Sequence, residues 1–154
     1  MIDQSVYASG IFTPTPSILT ATVSAVSSYI AYDSPATYTL SITPTKKIPQ
    51  NSIVTIQFPP EITLIGITVP SCTYTISGTT TTSTSIQTMT AVPTLIKITD
   101  AFLNAAYSTP LTPFLIQCTG FQNPRTTAVT GTFKIYTYDP LNFAMESGTS
   151  GITV

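Results

Sequence analysis

The chain has 154 residues, a formal net charge of -1, no histidine or tryptophan, and 7% charged against 42% hydrophobic residues. General acid–base catalysis needs tunable titratable groups and nucleic-acid binding needs many basic residues, so this composition argues against an enzyme and against a nucleic-acid partner. The apolar runs fall far short of the roughly 20 residues of a transmembrane helix, so no membrane insertion is expected. The length fits one domain with its own hydrophobic core.

The residues at the N-terminus, Met1 to Gln4, lack the basic and apolar regions of a secretory signal, so we expect no leader there. Two cysteines, few charges and many hydroxyls nevertheless favour an extracellular or cell-surface protein, because disulfides persist in that environment. Both observations fit if Met1 is an internal point of a longer or processed chain. The alternative is a cytosolic protein with two reduced thiols.

The first element in chain order is an extended arm, residues 2–12. Pro14 and Pro16 follow it and favour a stiff, polyproline-like spacer rather than a hairpin. We therefore divide the chain into an arm and linker, 1–16, and a folded domain, 17–154. We expect the arm and the last strand to pair with a neighbouring subunit. The residues predicted for this inter-subunit strand are Ile2, Gln4, Val6, Ile11, Phe12, Ile152 and Val154.

Apolar and polar residues alternate along most of the remaining chain, which is the pattern of half-buried strands. The clearest runs are 37–43, 54–58, 72–76, 114–118 and 132–136. Weaker candidates are 17–30, 61–68, 83–89, 94–99 and 149–154. The apolar phase of the clear runs predicts one contiguous core. Its predicted members are Tyr38, Leu40, Ile42, Val54, Ile56, Phe58, Tyr74, Ile76, Phe114, Ile116, Phe133 and Ile135.

Prolines, glycines and asparagines stand between these runs and mark where strands end. Short strands with turn signals every 8 to 12 residues or so predict an all-β, antiparallel sandwich or barrel. The one helical candidate is 100–107, where Asp100 would cap a turn or two. The Thr- and Ser-rich stretch 77–90 predicts either a long polar hairpin or a glycosylated loop.

Cys72 and Cys118 each lie on the apolar phase of a different predicted strand. This placement predicts a disulfide across the core, which in the chain-entropy model stabilises the fold by about 4 kcal/mol. The alternative is two buried thiols that pack as small hydrophobes. A catalytic thiol is not expected, because the chain has no histidine to activate one.

The six acidic residues are scattered among different segments, which favours solvated loop acids over a metal site, and no cofactor is expected. One alternative is a calcium site at Asp139 and Asn142. Another is an intramolecular Lys-Asn bond, as in some bacterial pilin sandwiches, although lysines on the exposed phase of a strand normally guard a sheet edge. That bond would join Lys97 or Lys134 to Asn104, Asn123 or Asn142.

No asparagine lies in an N-x-[ST] acceptor, so N-glycosylation is excluded, but two Ser/Thr tracts have the composition of O-glycosylated segments. The alternative is that threonine simply suits the exposed face of a strand. The candidate O-glycosylation sites are Thr13, Thr15, Ser17, Thr79, Thr80, Thr81 and Thr82.

The run 38–42, followed by Ile48-Pro49, 53–59 and Cys72, resembles the tandem β-sandwich repeats of very large surface or secreted proteins of ciliates and related protists. The segments 120–126 and 132–139 resemble the closing part of that repeat, and bacterial adhesin and pilin sandwiches share the pattern. The resemblance implies an Ig-like two-sheet sandwich in an extracellular coat, fibre or appendage. It carries over no catalytic or binding residue.

These observations predict a structural subunit of an extracellular filament or cell-surface array. Copies, or tandem repeats, would assemble head to tail by pairing strands between units, with O-linked glycans as possible additions. The alternative is an adhesin or carbohydrate-binding module that contacts its ligand through Tyr136 and Tyr138, both on the exposed phase beside Lys134.

Overall fold

The structure, a computed structural model, describes residues 15–27, 30–31, 34–66, 69–89, 93–107, 111–126 and 128–153. Every regular element within these residues is a β-strand. The strands are β1 (Ser17–Ile18), β2 (Thr20–Val26), β3 (Ala36–Thr43), β4 (Ile53–Gln57), β5 (Thr63–Leu64), β6 (Ser71–Ile76), β7 (Thr79–Thr82), β8 (Ile86–Met89), β9 (Leu95–Ile98), β10 (Phe114–Gln122), β11 (Val129–Tyr138) and β12 (Ala144–Thr153).

The strands form two sheets that pack face to face as a sandwich. The first sheet has the order β1-β12-β11-β4-β9-β8, and the second has the order β2-β3-β10-β6-β7, with the short β5 paired to β10. All of the pairings are antiparallel except that between β1 and β12, which is parallel. The predicted all-β sandwich is therefore confirmed.

Alternation of side chains explains how the strands build the core. In β11 the side chains of Phe133, Ile135 and Thr137 are buried, whereas Lys134 between them is exposed. The same phase in the other clear runs buries ten of the twelve predicted core residues in one hydrophobic cluster. The other two, Tyr74 and Ile76, are partly buried and pack against this cluster, because β6 lies beside the edge strand β7.

Aromatic rings fill both ends of this core. The end that carries the β11–β12 turn, residues 139–143, is called here the turn end. The rings of Phe102, Tyr107 and Phe114 meet there, with centroids 5.5 to 6.3 Å apart. Towards the opposite end, the Phe58 and Phe121 rings stack at 4.2 Å, beside Tyr38 and Phe133. Such packing adds to the burial of apolar area and fixes the spacing of the sheets.

The predicted helix at 100–107 is wrong. Asp100 to Leu103 form a single turn, closed by the Leu103 N–H donating to the Asp100 carbonyl at 3.3 Å, and no helix follows. The Asp100 carboxylate binds a different loop, so it caps no helix. Of the candidate strand 61–68, only the two residues of β5 form a strand. The Thr-rich stretch 77–90 contains the second strand of a hairpin, because β7 pairs with β6.

Cys72 and Cys118 are joined by a disulfide. They are directly opposite each other on the neighbouring strands β6 and β10, with Cα atoms 4.1 Å apart. The bond therefore lies within the second sheet, and the expected bridge across the core is corrected. Alternation shows that both side chains point inward, but it does not show which strands are neighbours.

Within the described ranges, no helix has the length and apolar character needed to span a membrane. The first strand begins at Ser17, where the predicted folded domain begins. The division at residue 16 stays a prediction, because residues 1–14 lie outside the described part of the chain.

Candidate functional site

The two ends of the folded domain lie at opposite ends of the sandwich. Ser17, where β1 starts, pairs with Glu146 near the turn end. Thr153, where β12 stops, pairs with Val129 at the opposite end. Glu146 and Thr153 are seven positions apart along the strand, which corresponds to about 24 Å. The chain thus enters the fold at one end and leaves it at the other.

β1 covers only the beginning of the outer side of β12. Its pairing with β12 ends at Ser147, whose carbonyl also accepts a hydrogen bond from the Leu19 N–H at 3.0 Å. At Leu19 the chain turns inward and crosses to the second sheet, where β2 pairs with β3. Among the described residues, no strand forms a backbone ladder with this side of β12 after Ser147, but β2 lies close to it, and the Val23 N–H donates a hydrogen bond to the Ser150 hydroxyl at 3.2 Å. We call the strip beside Gly148–Gly151 the β12 lane.

A groove of about 390 Å³ opens at the start of the β12 lane. It combines exposed apolar and hydroxyl side chains with strand backbone. Ile18 is 80% exposed at one wall, and Tyr136 is half-buried at the other. The lining residues are Ile18, Leu19, Thr20, Ala21, Tyr136, Ser147, Gly148 and Thr149. This composition suits an extended segment that carries alternate apolar side chains.

Of the seven residues predicted for the inter-subunit strand, one lies in the part of the chain that the structure describes. Ile152 lies in β12, whose other side pairs with β11 of its own sheet. The remaining six lie outside the described residues, in 1–14 and at 154. Their role in assembly stays a prediction.

A second opening, of about 370 Å³, lies between the β6–β7 hairpin and the loop 100–107. Thr79 is directly opposite Ile76, and Thr81 is opposite Tyr74, so these four side chains share the face that looks onto the loop. Phe102 lies at the inner side. We call this opening the hairpin cleft.

Asp100 holds the loop beside the hairpin cleft in place. Its carboxylate accepts hydrogen bonds from the Ser83 hydroxyl at 2.7 Å, from the Thr84 N–H at 2.7 Å and from the Ser85 N–H at 3.3 Å. Burial acts to raise the pKa of Asp100, but these hydrogen bonds outweigh it and hold that pKa below its usual value. A buried, fully bonded carboxylate replaces the solvated loop acid that the sequence suggested.

Glu146 is a second acid that sequence reasoning misplaced. It lies in β12 and is only 1% exposed. Its Oε1 accepts from the Thr45 N–H at 2.8 Å and from the Thr45 hydroxyl at 2.5 Å, which ties the loop after β3 to the opposite sheet. Within the described structure its Oε2 atom and the Oγ1 atom of Thr137, directly opposite, have no hydrogen-bond partner.

Asp139 and Asn142, the candidate calcium ligands, are part of the β11–β12 turn. Asp139 Oδ1 accepts hydrogen bonds from the Leu141 N–H at 2.9 Å and the Phe143 N–H at 2.8 Å. Asn142 adopts a positive φ of 67°, as turn residues of this type often do. In the described ranges no group of three acidic or cysteine side chains could hold a metal ion.

The lysine and asparagine candidates for a covalent bond have other surroundings. The Asn123 side-chain oxygen accepts from the Tyr38 hydroxyl at 2.5 Å, and its amide donates to the Ile30 carbonyl at 2.9 Å. Lys134 is exposed on the outer face of β11. Asn123 is therefore part of a buried hydrogen-bond network with a tyrosine.

Tyr136 and Tyr138 lie side by side on the outer face of the first sheet, as their phase predicts. Their ring centroids are 6.2 Å apart, and both side chains are half-buried. The O-glycosylation candidates Thr79, Thr80, Thr81 and Thr82 are all exposed in β7, and Thr15 is exposed as well. Ser17 is half-buried in β1, and Thr13 lies outside the described residues.

Comparison with protein-family models and with curated protein sequences finds no match. Among solved structures, the fold is similar to a D312A variant of BcpA, the major pilin subunit of Bacillus cereus. The TM-score is 0.51 and the identity 11%, over 88% of this chain and 40% of that chain. The serine-rich repeat adhesion glycoprotein Srr1 from Streptococcus agalactiae gives a TM-score of 0.46 and 13% identity, over 92% of this chain and 49% of that one.

The chain thus spans less than half the length of either protein. At this identity the likeness to the pilin shows a shared sandwich fold. It agrees with the pilin-like part of the resemblance found in the sequence. The resemblance to ciliate repeats stays a prediction, because neither of these structures comes from a ciliate.

Proposed function

We propose that the chain is a structural subunit of an extracellular filament or cell-surface array. Copies of it assemble head to tail by pairing of strands between subunits. The observation that carries this proposal is the placement of Ser17 and Thr153 at opposite ends of the sandwich. A chain that enters at one end and leaves at the other suits a heterologous contact, which repeats without closing.

Three further features support this proposal. The fold is shared with a pilin subunit. The Cys72–Cys118 disulfide is compatible with an oxidising, extracellular environment. The first sheet also offers backbone groups along the β12 lane, which the described strands leave unpaired. A mechanical role needs no cofactor, and we propose none.

Deletion of residues 1–12 tests the role of the arm. Full-length protein is expected to scatter more light as its concentration rises and to show filaments in negative-stain images, whereas the shortened chain stays monomeric. Normal polymerisation of the shortened chain would contradict strand donation. Circular dichroism of both proteins controls for loss of the fold.

We propose also that native material carries O-linked glycans on Thr15 or on the exposed threonines of β7. Those side chains are accessible in the fold, as a glycosyltransferase requires. Peptides of native material that contain these threonines are expected to have masses above those of the unmodified peptides. Masses equal to those of the unmodified peptides would contradict the modification.

A second candidate function is an adhesin or carbohydrate-binding module. The adjacent Tyr136 and Tyr138 rings favour it, because paired aromatic rings on a sheet face can stack on a sugar. In that case the protein stays monomeric at high concentration and binds glycans on an array, and Tyr138→Ala loses the binding. Concentration-dependent scattering without glycan binding favours the structural role.

A further inference from the structure

We propose that the β12 lane is the acceptor site for residues 2–8 from the arm of a second copy of this chain. The arm would add to the first sheet as an extra strand beside Gly148–Gly151, in line with β1. This inference rests on the proposed function and specifies where the inter-subunit strand binds.

The backbone of β12 carries the hydrogen-bonding groups that such a strand needs. The Ser147 carbonyl points to the outer side of β12, where it accepts from the Leu19 N–H at 3.0 Å. Backbone direction alternates along a strand, so the N–H and C=O groups of Thr149 and Gly151 point to that same side. The pairing of β12 with β11 is regular from Glu146 to Gly151, so this alternation is not interrupted there.

The groove at the start of the β12 lane provides contacts for side chains. Ile18 and Tyr136 form apolar walls, and Ile18 is 80% exposed in the single chain. In the arm, Ile2 and Val6 have the same phase, with Gln4 between them. Residues 2–12 contain one charge and no proline, so a hydrogen-bond ladder is not blocked. Main-chain bonds supply affinity, and alternate side chains in the groove supply specificity.

The position of Ser17 favours a second copy over the chain's own arm. The arm leads into β1, which already lies beside Glu146 and Ser147. To reach Thr149, the same chain would have to reverse within residues 13–16. Pro14 and Pro16 favour an extended backbone in that segment and at the residue before each. Ser17, which follows the arm in the chain, lies at the turn end, whereas the lane extends towards the opposite end, so binding of an arm from a second copy would give a head-to-tail contact.

The edge strand β7 provides a matched comparison at the other side of the sandwich. It is also an edge of its sheet, and its four threonines are exposed. Thr80 is an exposed threonine like Thr149, but it lies on a sheet edge that is not the proposed acceptor site. Thr80 does not line the hairpin cleft, so it lacks apolar walls like those that Ile18 and Tyr136 give the groove beside β12.

Disulfide trapping between full-length copies tests the acceptor site. One copy carries Gln4→Cys or Val6→Cys, and the other carries Thr149→Cys or, as the control, Thr80→Cys. Both native cysteines are buried in their own bond, so they do not compete. After mild oxidation of assembled mixtures, we expect roughly tenfold more dimer with Thr149→Cys than with Thr80→Cys, because a bound arm raises the local thiol concentration into the millimolar range.

Three outcomes would overturn the inference. If filaments form but Thr80→Cys gives as much dimer as Thr149→Cys or more, the acceptor site is not the β12 lane, and the proposed function still stands. Trapping within one chain of a Val6→Cys, Thr149→Cys double variant, at high dilution, would show that the arm folds back on its own sheet. Absence of any assembly in the unmodified protein would overturn the proposed function and this inference together.

Discussion

The side chain of Leu19 packs directly against Gly148. A β-carbon at position 148 would lie 2.5 Å from Leu19 Cδ1 and 2.7 Å from the Leu19 carbonyl oxygen. Leu19 is the residue at which the chain leaves β1 in the first sheet and starts β2 in the second. The absence of a side chain at 148 therefore allows the crossing at which the backbone pairing of β1 with β12 ends.

The substitution Gly148→Ala is expected to lower the free energy of unfolding by about 1 to 3 kcal/mol, because Leu19 must move away from the added methyl group. Gly151→Ala is the matched control. It lies three residues along the same strand, and its nearest neighbour, Thr132 Cγ2, is 3.9 Å away. Urea denaturation of both variants provides the measurement. Equal stabilities would mean that the contact with Leu19 does not constrain the fold.

The disulfide is expected to contribute about 4 kcal/mol to stability, since it closes a loop with a sequence separation of 46 residues. Reducing agent should therefore lower the urea midpoint of the native protein. A variant with both Cys72→Ala and Cys118→Ala should not respond to the reducing agent. Two reactive thiols in unfolded, unreduced protein would contradict the bond itself.

Replacement of Asp100 by asparagine is expected to destabilise the protein by about 2 kcal/mol at pH 7, because four hydrogen bonds lose their charged acceptor. The pKa of Asp100 in the folded protein lies below its ordinary value of 3.8. The stabilisation is therefore complete above that value and is lost as the pH falls through the folded pKa. Thermal unfolding should show the native and Asp100→Asn curves converging in acid. A difference in stability between the two proteins that stays constant as the pH falls would exclude ionisation of Asp100 as its cause.

Tyr38 is expected to make the fold sensitive to alkali. Burial raises the pKa of Tyr38 from its ordinary value of 10.0 to about 12, so the folded chain retains this proton at a pH where the unfolded chain loses it. Stability is thus fully present below about pH 10 and falls as the pH rises towards 12. Tyr38→Phe should reduce this loss, at a cost of about 1 kcal/mol at neutral pH from the missing bond to Asn123. An identical alkaline slope in the variant would contradict the assignment.

The strand pattern was predictable because burial and alternation are local properties of the sequence. The phase of Phe133 and Ile135 against Lys134 predicted which face of β11 enters the core, and the structure agrees. The paired position of Cys72 and Cys118 was not predictable, because strand order depends on contacts between distant segments. Alternation gives the direction of a side chain but not its neighbour across the sheet.

The hydrogen-bond partners of the acidic residues were also not predictable from the sequence. Asp100 looked like the cap of a helix, but its hydrogen-bond partners are Ser83, Thr84 and Ser85 in a separate loop. Glu146 similarly meets Thr45, which is 101 residues away in the chain. The sequence also did not predict the β12 lane, because the lane results from the turn of the chain at Leu19 towards the second sheet. Such features depend on tertiary packing, which overrides local preference.

Negative-stain electron microscopy over a concentration series tests head-to-tail assembly most directly. Unmodified protein is expected to form filaments with an axial repeat near the length of one sandwich, about 35 to 45 Å, since the ten residues of β12 extend over about 34 Å. Thr149→Lys should shorten or abolish the filaments by placing a charge beside the acceptor edge, whereas Thr80→Lys should leave them unchanged. Monodisperse 16.4 kDa particles at every concentration would contradict the account.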